Sequence, residues 1–323
     1  MQEQVPNFDK DTIAKIIVEL FGIDGGISSL VSFEDQNFLI TTTTTKYVLK
    51  IANKKWAHEF LATQANVLCY LKKAAPELTF PSIVKNVEGQ SLSYVDGFAI
   101  RLLTYLEGEL YTHATKSPEL YEDIGRFLGR FSRAMENYSD GFTEGSDALW
   151  KLDNVMACKV HLAKVIDEDA RNRISRLFDV YEENILPRLP SLRKAVIHGD
   201  ANEQNLLVSS NNSKRISGLI DFGELQLASQ INDLAITLAY SLLGEDDIAM
   251  ASTKIIAGYE REFTLEPAER EILYYLMAMR LVTSITMSSH AANLFPDNDY
   301  IVVSQTPARA LLEKLEREKY ILL

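Results

Sequence analysis

Two segments of this chain set a polar turn directly against short apolar runs, and together they restrict the fold more than any bulk property does. The first, Val196 to Val208, reads VIHGDANEQNLLV. Its ends have the β-branched and leucine character of buried strand. Its centre holds Gly199, Asp200, Asn202 and Asn205, which are turn formers. A hairpin loop accounts for that composition by itself. It does not account for the second segment, ISGLIDFGE, another apolar strand that ends in a carboxylate, Asp221. If NLLV and GLID pair antiparallel, their polar ends converge, and Asp200, Asn205 and Asp221 share one neighbourhood.

The rest of the chain separates into a strand-rich beginning and a helical remainder. Residues 9–22 place Ile13, Ile16, Ile17 and Leu20 at helical spacing and stop at Gly22. Strands are expected in ISSLVSF, NFLITTTTT and KYVLKIA, a helix from about Trp56 to Lys73, and two more strands around the Asp96-Gly97 turn. The threonine run Thr41–Thr45 is read as hairpin or edge strand. Helices are expected near 118–138, 168–186, 230–243, 248–263, 267–292 and 305–320. The fold class is therefore α+β, with a small N-terminal antiparallel sheet crossed by one helix and a larger, mostly helical C-terminal part. The shift in pattern near Leu102 to Glu109 puts the boundary between 1–103 and 104–323.

Composition removes several functions. The net charge of −12 would repel nucleic acid and anionic membranes. Cys69 and Cys158 form no metal-binding or disulfide spacing, so a reducing compartment is expected. The polar start lacks a hydrophobic signal core, and the apolar stretch from Ile272 is short and contains Arg280. The expectation is a cytoplasmic protein with no nucleic-acid, membrane or obligate protein partner. The histidines other than His198 (His58, His113, His161 and His290) are dispersed.

The convergent carboxylates and amide suit phosphoryl transfer. A divalent cation bound with a nucleotide takes oxygen ligands, which Asn205 and Asp221 offer. Transfer to a hydroxyl also needs a positioned carboxylate, which Asp200 offers. The order His-x-Asp, Asn five residues on, then Asp-Phe-Gly is that of the protein-kinase signature, here His198, Asp200, Asn205, Asp221, Phe222 and Gly223. Lys50, on an apolar strand where an unpaired lysine is costly, is the expected cation on the triphosphate. Its expected partner is Glu59 on the following helix, with Gln64 as the alternative, although a solvated first-turn acid explains Glu59 equally well. There is no Gly-x-Gly-x-x-Gly. The turn SFEDQNF would cover the phosphates instead, using Ser32, Gln36 and Asn37. Only ELQLAS separates Gly223 from the next helix, too little for a peptide-docking segment, so the acceptor is small. Glu224, Trp150 and Asp153 are candidates to hold its ammonium, and Arg280 its carboxylate. Core packing for Trp150, solvation for Asp153 and a buried ion pair for Arg280 are the open alternatives. Asp233 is read as a helix cap and His198 as a brace of the loop.

With HGDANEQN and IDFGE in hand, the chain resembles the aminoglycoside phosphotransferase and choline kinase-like superfamily. Similarity at LVSFEDQNF, KYVLKIAN, RLLTYLEG, WKLDNV, GLIDFGE and LFPDNDYI, from about residue 30 to 302, points to its hydroxylysine kinase group. The resemblance implies the bilobal protein-kinase-like fold. It also implies Asp200 as catalytic base, Asn205 and Asp221 as Mg2+ ligands and Lys50 as the nucleotide-phosphate lysine. Leu103 and Tyr105 would lie in the hinge that meets the nucleotide base. In one departure, the position often acidic in the group's helix falls at Ala62. The implied reaction moves the γ-phosphate of ATP or GTP to a small cationic or zwitterionic hydroxylated amine, 5-hydroxylysine favoured. Choline or ethanolamine, homoserine and aminoglycosides are alternative acceptors. A non-catalytic nucleotide-binding pseudokinase is the alternative of another class.

Overall fold

A computed structural model of the chain describes residues 4–32, 35–139, 141–145, 150–294 and 304–322. The segment LFPDNDYI lies outside them beyond its first residue. The chain divides into two units. One comprises residues up to 108 together with 139–146 and 217–223, and the other comprises the remainder.

In the first unit, helix α1 (Lys10–Phe21) starts where the Thr12 N–H donates to the Asp9 carboxylate at 2.7 Å, and stops at Gly22 with φ 65°. Strands β1 (Gly26–Leu30), β2 (Gln36–Thr41) and β3 (Lys46–Ile51) form an antiparallel meander. The threonine run makes its second turn, with Thr42 Oγ1 accepting from the Thr44 and Thr45 N–H groups. Helix α2 (His58–Ala74) follows, then β4 (Ile83–Val84), β5 (Ser93–Val95) and β6 (Phe98–Thr104). Asp96 and Gly97, both at positive φ, turn β5 into β6 as the sequence predicts. The strand order is β1-β2-β3-β6-β4, with β5 also on β6. Strand alternation gives the sheet two chemistries. Phe38, Leu49 and Leu102 are buried with Ile13, Ile16 and Ile17 of α1. Each such side chain contributes about 1.5–3 kcal/mol on burial. The opposite parity carries Asn37, Lys50 and Arg101, directly across from one another in register.

The second unit opens with β7 (Glu109–Leu110) and α3 (Pro118–Met135). A 3₁₀ run, Leu152–Lys164, occupies a stretch that the sequence left without structure, kinked at Asn154. Helix α4 (Glu168–Val180) continues as a π turn, Tyr181–Ile185, and a 3₁₀ turn, Leu186–Ser191, that accommodates Pro187 and Pro190. Then come β8 (Lys194–Ile197), β9 (Leu206–Ser209), β10 (Asn212–Leu219), whose last residues belong to the first unit, and β11 (Gln226–Ser229). Helices α5 (Asn232–Ser241), α6 (Ile248–Glu260), α7 (Pro267–Leu294) and α8 (Gln305–Arg317) complete the unit. Strand β8 pairs with β11, whereas β9 lies between β10 and β7. The polar segment 198–205 therefore joins two different sheets and is no hairpin. No helix among the described residues is long and apolar enough to cross a membrane.

Helices α3 and α6 meet backbone to backbone. A Cβ at Gly125 would fall 1.9 Å from the Ile255 carbonyl oxygen, and one at Gly258 2.0 Å from that of Glu122. Neither obstacle is a side chain that can swing away. Gly258→Ala is expected to destabilise the fold by about 1–3 kcal/mol or more through overpacking, read as a fall in thermal midpoint. An unchanged midpoint would contradict this close approach.

Candidate active site

The segment between β8 and β9 is held by groups distant in sequence. His198 is fully buried, and its N–H donates to Asp233 Oδ2 at 2.9 Å. The Gly199 N–H donates to Asp233 Oδ1, also at 2.9 Å. Asp233 is thus the anchor of this loop and not the expected cap: the N-cap of α5 is Ile231, and no side chain caps it. The carboxylate is placed two residues past the N-cap and faces the loop's amides instead. Burial raises its pKa to about 6, and the two N–H donors oppose that rise. Gly199 has φ 79°, and a Cβ there would lie 2.2 Å from the Glu224 carbonyl oxygen, so glycine is required. His198 Nδ1 accepts from the Asp200 N–H at 3.3 Å, which makes it the brace predicted from the sequence.

Asp200 emerges from this anchored loop with both carboxylate oxygens engaged. Oδ1 accepts from Arg280 Nη2 at 2.7 Å, and Oδ2 from Asn202 Nδ2 at 2.9 Å and Asn205 Nδ2 at 3.1 Å. Asn205 Nδ2 also donates to the Asp200 carbonyl at 2.9 Å. With its amide nitrogen so committed, Asn205 presents Oδ1, which has no hydrogen-bond partner among the described residues. The spacing of five residues is what lets one side chain reach both the backbone and the carboxylate of Asp200.

Within the first unit, Lys50 Nζ lies 2.6 Å from Asp221 Oδ1. The lysine side chain is 11% exposed and the aspartate side chain 49%, so the ion pair has one buried end and one open end. Asp221 is in the left-handed region, φ 61°, and the next residue, Phe222, packs edge-on against Phe80 at 5.7 Å. Glu59 is exposed in the first turn of α2, and Lys50 is engaged by Asp221 instead. Gln64 is buried and accepts from Arg101 Nη1. Arg101 itself was not singled out from the sequence. It is 4% exposed, sits across from Lys50 in register, and its Nε has no hydrogen-bond partner among the described residues. Its signal was a cation at the parity of Lys50 in an otherwise apolar strand, FAIRLLT. Burial lowers its pKa, opposed by the charges of Asp35 and Asp221.

The phosphotransferase enzyme family matches residues 27–272, which span both the N-terminal sheet and the Asp200 loop. The chain belongs to this family. A hydroxylysine kinase from Xenopus laevis is 28% identical, covering 93% of this chain and 87% of its own length. One from Mus musculus is 24% identical, covering 96% and 90%. A structure of a microcompartment-associated aminopropanol kinase superposes with a TM-score of 0.74 at 16% identity, covering 96% of this chain and 98% of that one. An amicoumacin kinase in complex with AMP-PNP, Ca2+ and Ami gives 0.69 at 16% identity, covering 95% and 94%. The expected protein-kinase-like fold is the one observed. The protein is an enzyme that phosphorylates a hydroxyl group.

The remaining predicted residues of this phosphotransferase fall into two sets. Arg280 is buried; besides Asp200 it contacts Trp150, whose carbonyl accepts from Nη1 at 3.2 Å, and the rings of Trp150 and Tyr240 at 5.9 and 5.4 Å. Glu224 is near enough to add to the field on Arg280. These residues gather around the Asp200 carboxylate. Asp153 does not join them: it accepts from Lys194 Nζ at 2.5 Å, the Ser229 N–H at 3.0 Å and Asn232 Nδ2 at 2.7 Å, tying β8, β11 and α5 together. Gln36 pairs with the backbone of Phe8 at 2.8 and 2.9 Å, and the Ser32 hydroxyl donates to the Asp35 carbonyl. Asn37 Oδ1 is buried without a partner among the described residues. Leu103 is paired in β6, and the Tyr105 N–H donates to the Lys46 carbonyl at 3.1 Å.

Proposed function

We propose that the enzyme transfers the γ-phosphoryl group of ATP or GTP to the hydroxyl of an amino alcohol or hydroxylated amino acid, with 5-hydroxylysine the favoured acceptor. The observation that carries this reading is the Asp200 carboxylate, fixed by three donors on a loop that Asp233 anchors. The hydroxylysine kinases that match over nearly the full chain support the acceptor class. We further propose that the first unit receives the nucleotide phosphates and the second carries the acceptor.

In this reading Asp200 receives the acceptor's proton as the acceptor oxygen bonds to the γ-phosphorus and the bridging bond to the β-phosphate breaks. Its own basicity is a minor requirement, because positioning supplies most of the catalysis in such transfers. Lys50 leaves Asp221 for the phosphates, which approach from the open, Asp221 end of the ion pair. The carboxylate of Asp221 and Oδ1 of Asn205 each offer the hard oxygen that Mg2+ takes, and they are the residues that would bind the ion. When bound, the ion neutralises phosphate charge. The connection that follows Leu103 meets the nucleotide base, through backbone groups that β3 does not take as it takes the Tyr105 N–H. The exposed, unpaired Cys69 supports a reducing, cytoplasmic setting.

The test is Mg-dependent release of ADP and GDP by the purified enzyme. The panel comprises 5-hydroxylysine, ethanolamine, choline, homoserine and aminoglycosides. Acceptor-dependent turnover with hydroxylysine is expected. Nucleotide bound with no turnover across the panel would favour the non-catalytic alternative.

A further inference from the structure

Three strands of the first unit put Asn37, Lys50 and Arg101 in one row. Asn37 of β2 and Arg101 of β6 each stand directly opposite Lys50 of β3. Residues opposed in this way project from the same face, with Cβ atoms about 4.5–5.5 Å apart, and like charges so placed repel. Solvent does little to relieve that repulsion here, because the Lys50 side chain is 11% exposed and Arg101 4%. The row holds no carboxylate either. Asn37 brings only an amide, whose Oδ1 is buried without a partner among the described residues. Stability alone favours an apolar pair at such a position.

The two cations are satisfied differently. Arg101 Nη1 donates to Gln64 Oε1 of α2, the guanidinium's one hydrogen bond among the described residues, and Nε has none. Gln64 is buried as well. Its amide fixes the guanidinium in place but is neutral, so the positive charge beside Lys50 stays uncancelled. Lys50 meets Asp221 instead, at 2.6 Å, through a carboxylate that is half open to solvent. The lysine therefore has a fixed cation beside it and its partner at the accessible edge. Retreat of its Nζ toward Gln64 would bring it against the guanidinium.

We propose that Arg101, held by Gln64, is a positioning residue for Lys50. Its charge closes the inner place on the sheet to the ammonium and keeps Lys50 at the open, Asp221 end, where the nucleotide phosphates bind. The assignment rests on the reading of Lys50 as the phosphate lysine and adds to it what aims that lysine. An arginine–glutamine pair that repels Lys50 stands in for a helix glutamate that would attract it. Without the arginine, Gln64 Oε1 is released and can take the ammonium inward, away from the phosphates.

The test is calorimetric titration of the enzyme, with Mg2+ present, using ATP and GTP against adenosine and guanosine. The proteins are wild type, Arg101→Met, Arg101→Lys, Lys50→Met and the Lys50→Met/Arg101→Met double variant. The ratio of triphosphate to nucleoside affinity reads the phosphate contribution alone. Arg101→Met is expected to lower it by about 10-fold, within the range of coupling between neighbouring residues. Arg101→Lys, which keeps the charge, recovers most of that loss. In the Lys50→Met background, Arg101→Met has no further effect on the ratio, an outcome that a merely structural arginine would not produce. An unchanged ratio in Arg101→Met, or an equal loss with and without Lys50, overturns the proposal. Gln64→Glu covers a failure of Arg101→Met to fold: it retains the arginine and neutralises its charge, so the ratio falls, and an unchanged ratio again overturns the proposal. A fall in Lys50→Met without one in Arg101→Met keeps the phosphate lysine and rejects only its positioning by Arg101. No change in Lys50→Met rejects both.

Discussion

Asp200→Asn is expected to lower kcat by about 10²- to 10⁴-fold, the usual range for losing a positioned acid–base group. Affinity for the Mg-nucleotide should stay near the wild-type value, because in the proposed reaction the carboxylate serves the acceptor hydroxyl. The structure adds a second, smaller effect. In wild type, Oδ1 accepts from Arg280 and Oδ2 from Asn202 and Asn205. An asparagine must turn its NH₂ toward one of these donors, whichever way the amide lies. A modest fall in thermal midpoint should therefore accompany the kinetic loss. Single-turnover phosphate transfer and nucleotide titration on the same preparation check both parts. A variant that keeps most of its kcat would remove Asp200 from the chemistry and leave Arg280 as the residue to test next.

Asp233→Ala should be the more damaging change for the fold. It removes the shared acceptor of two buried N–H groups, those of His198 and Gly199. Each donor left unsatisfied costs about 1–3 kcal/mol, so a loss of about 2–6 kcal/mol is expected by denaturant unfolding. Activity of the folded fraction should fall as well, since the loop that aims Asp200 loses its anchor. Asp233→Asn retains one acceptor and presents an NH₂ to the other amide, so an intermediate loss is expected. If Asp233→Ala unfolds at the wild-type denaturant concentration, the loop is held by something other than these two hydrogen bonds.

The contrast between these two residues shows how far the sequence could be read. Asp200, Asn205 and Asp221 announce themselves through local pattern: a polar turn at fixed spacing against apolar strand, twice over. The helices past residue 117 and the meander of β1 to β3 are legible for a similar reason, because periodicity and turn residues act over a few positions. Asp233 stands in a run, QINDLAI, where an aspartate before an apolar helix is ordinarily a cap, and nothing local says otherwise.

What the sequence determined by itself is the pair of motifs, the α+β class and the position of Lys50 on an apolar strand. Which groups meet those motifs was decided by the tertiary structure. Lys50 finds Asp221 across 171 positions, and Asp200 finds Arg280 across 80. Arg101 takes the buried place beside Lys50 and draws Gln64 to itself, leaving Glu59 in solvent. Asp153, in sequence a candidate for the acceptor's ammonium or a solvated charge, becomes a tie between β8, β11 and α5. The physical reason is that a buried charge must find a partner wherever the packed chain offers one. Local propensity sets where strands and helices begin, but strand register and helix packing choose the partner.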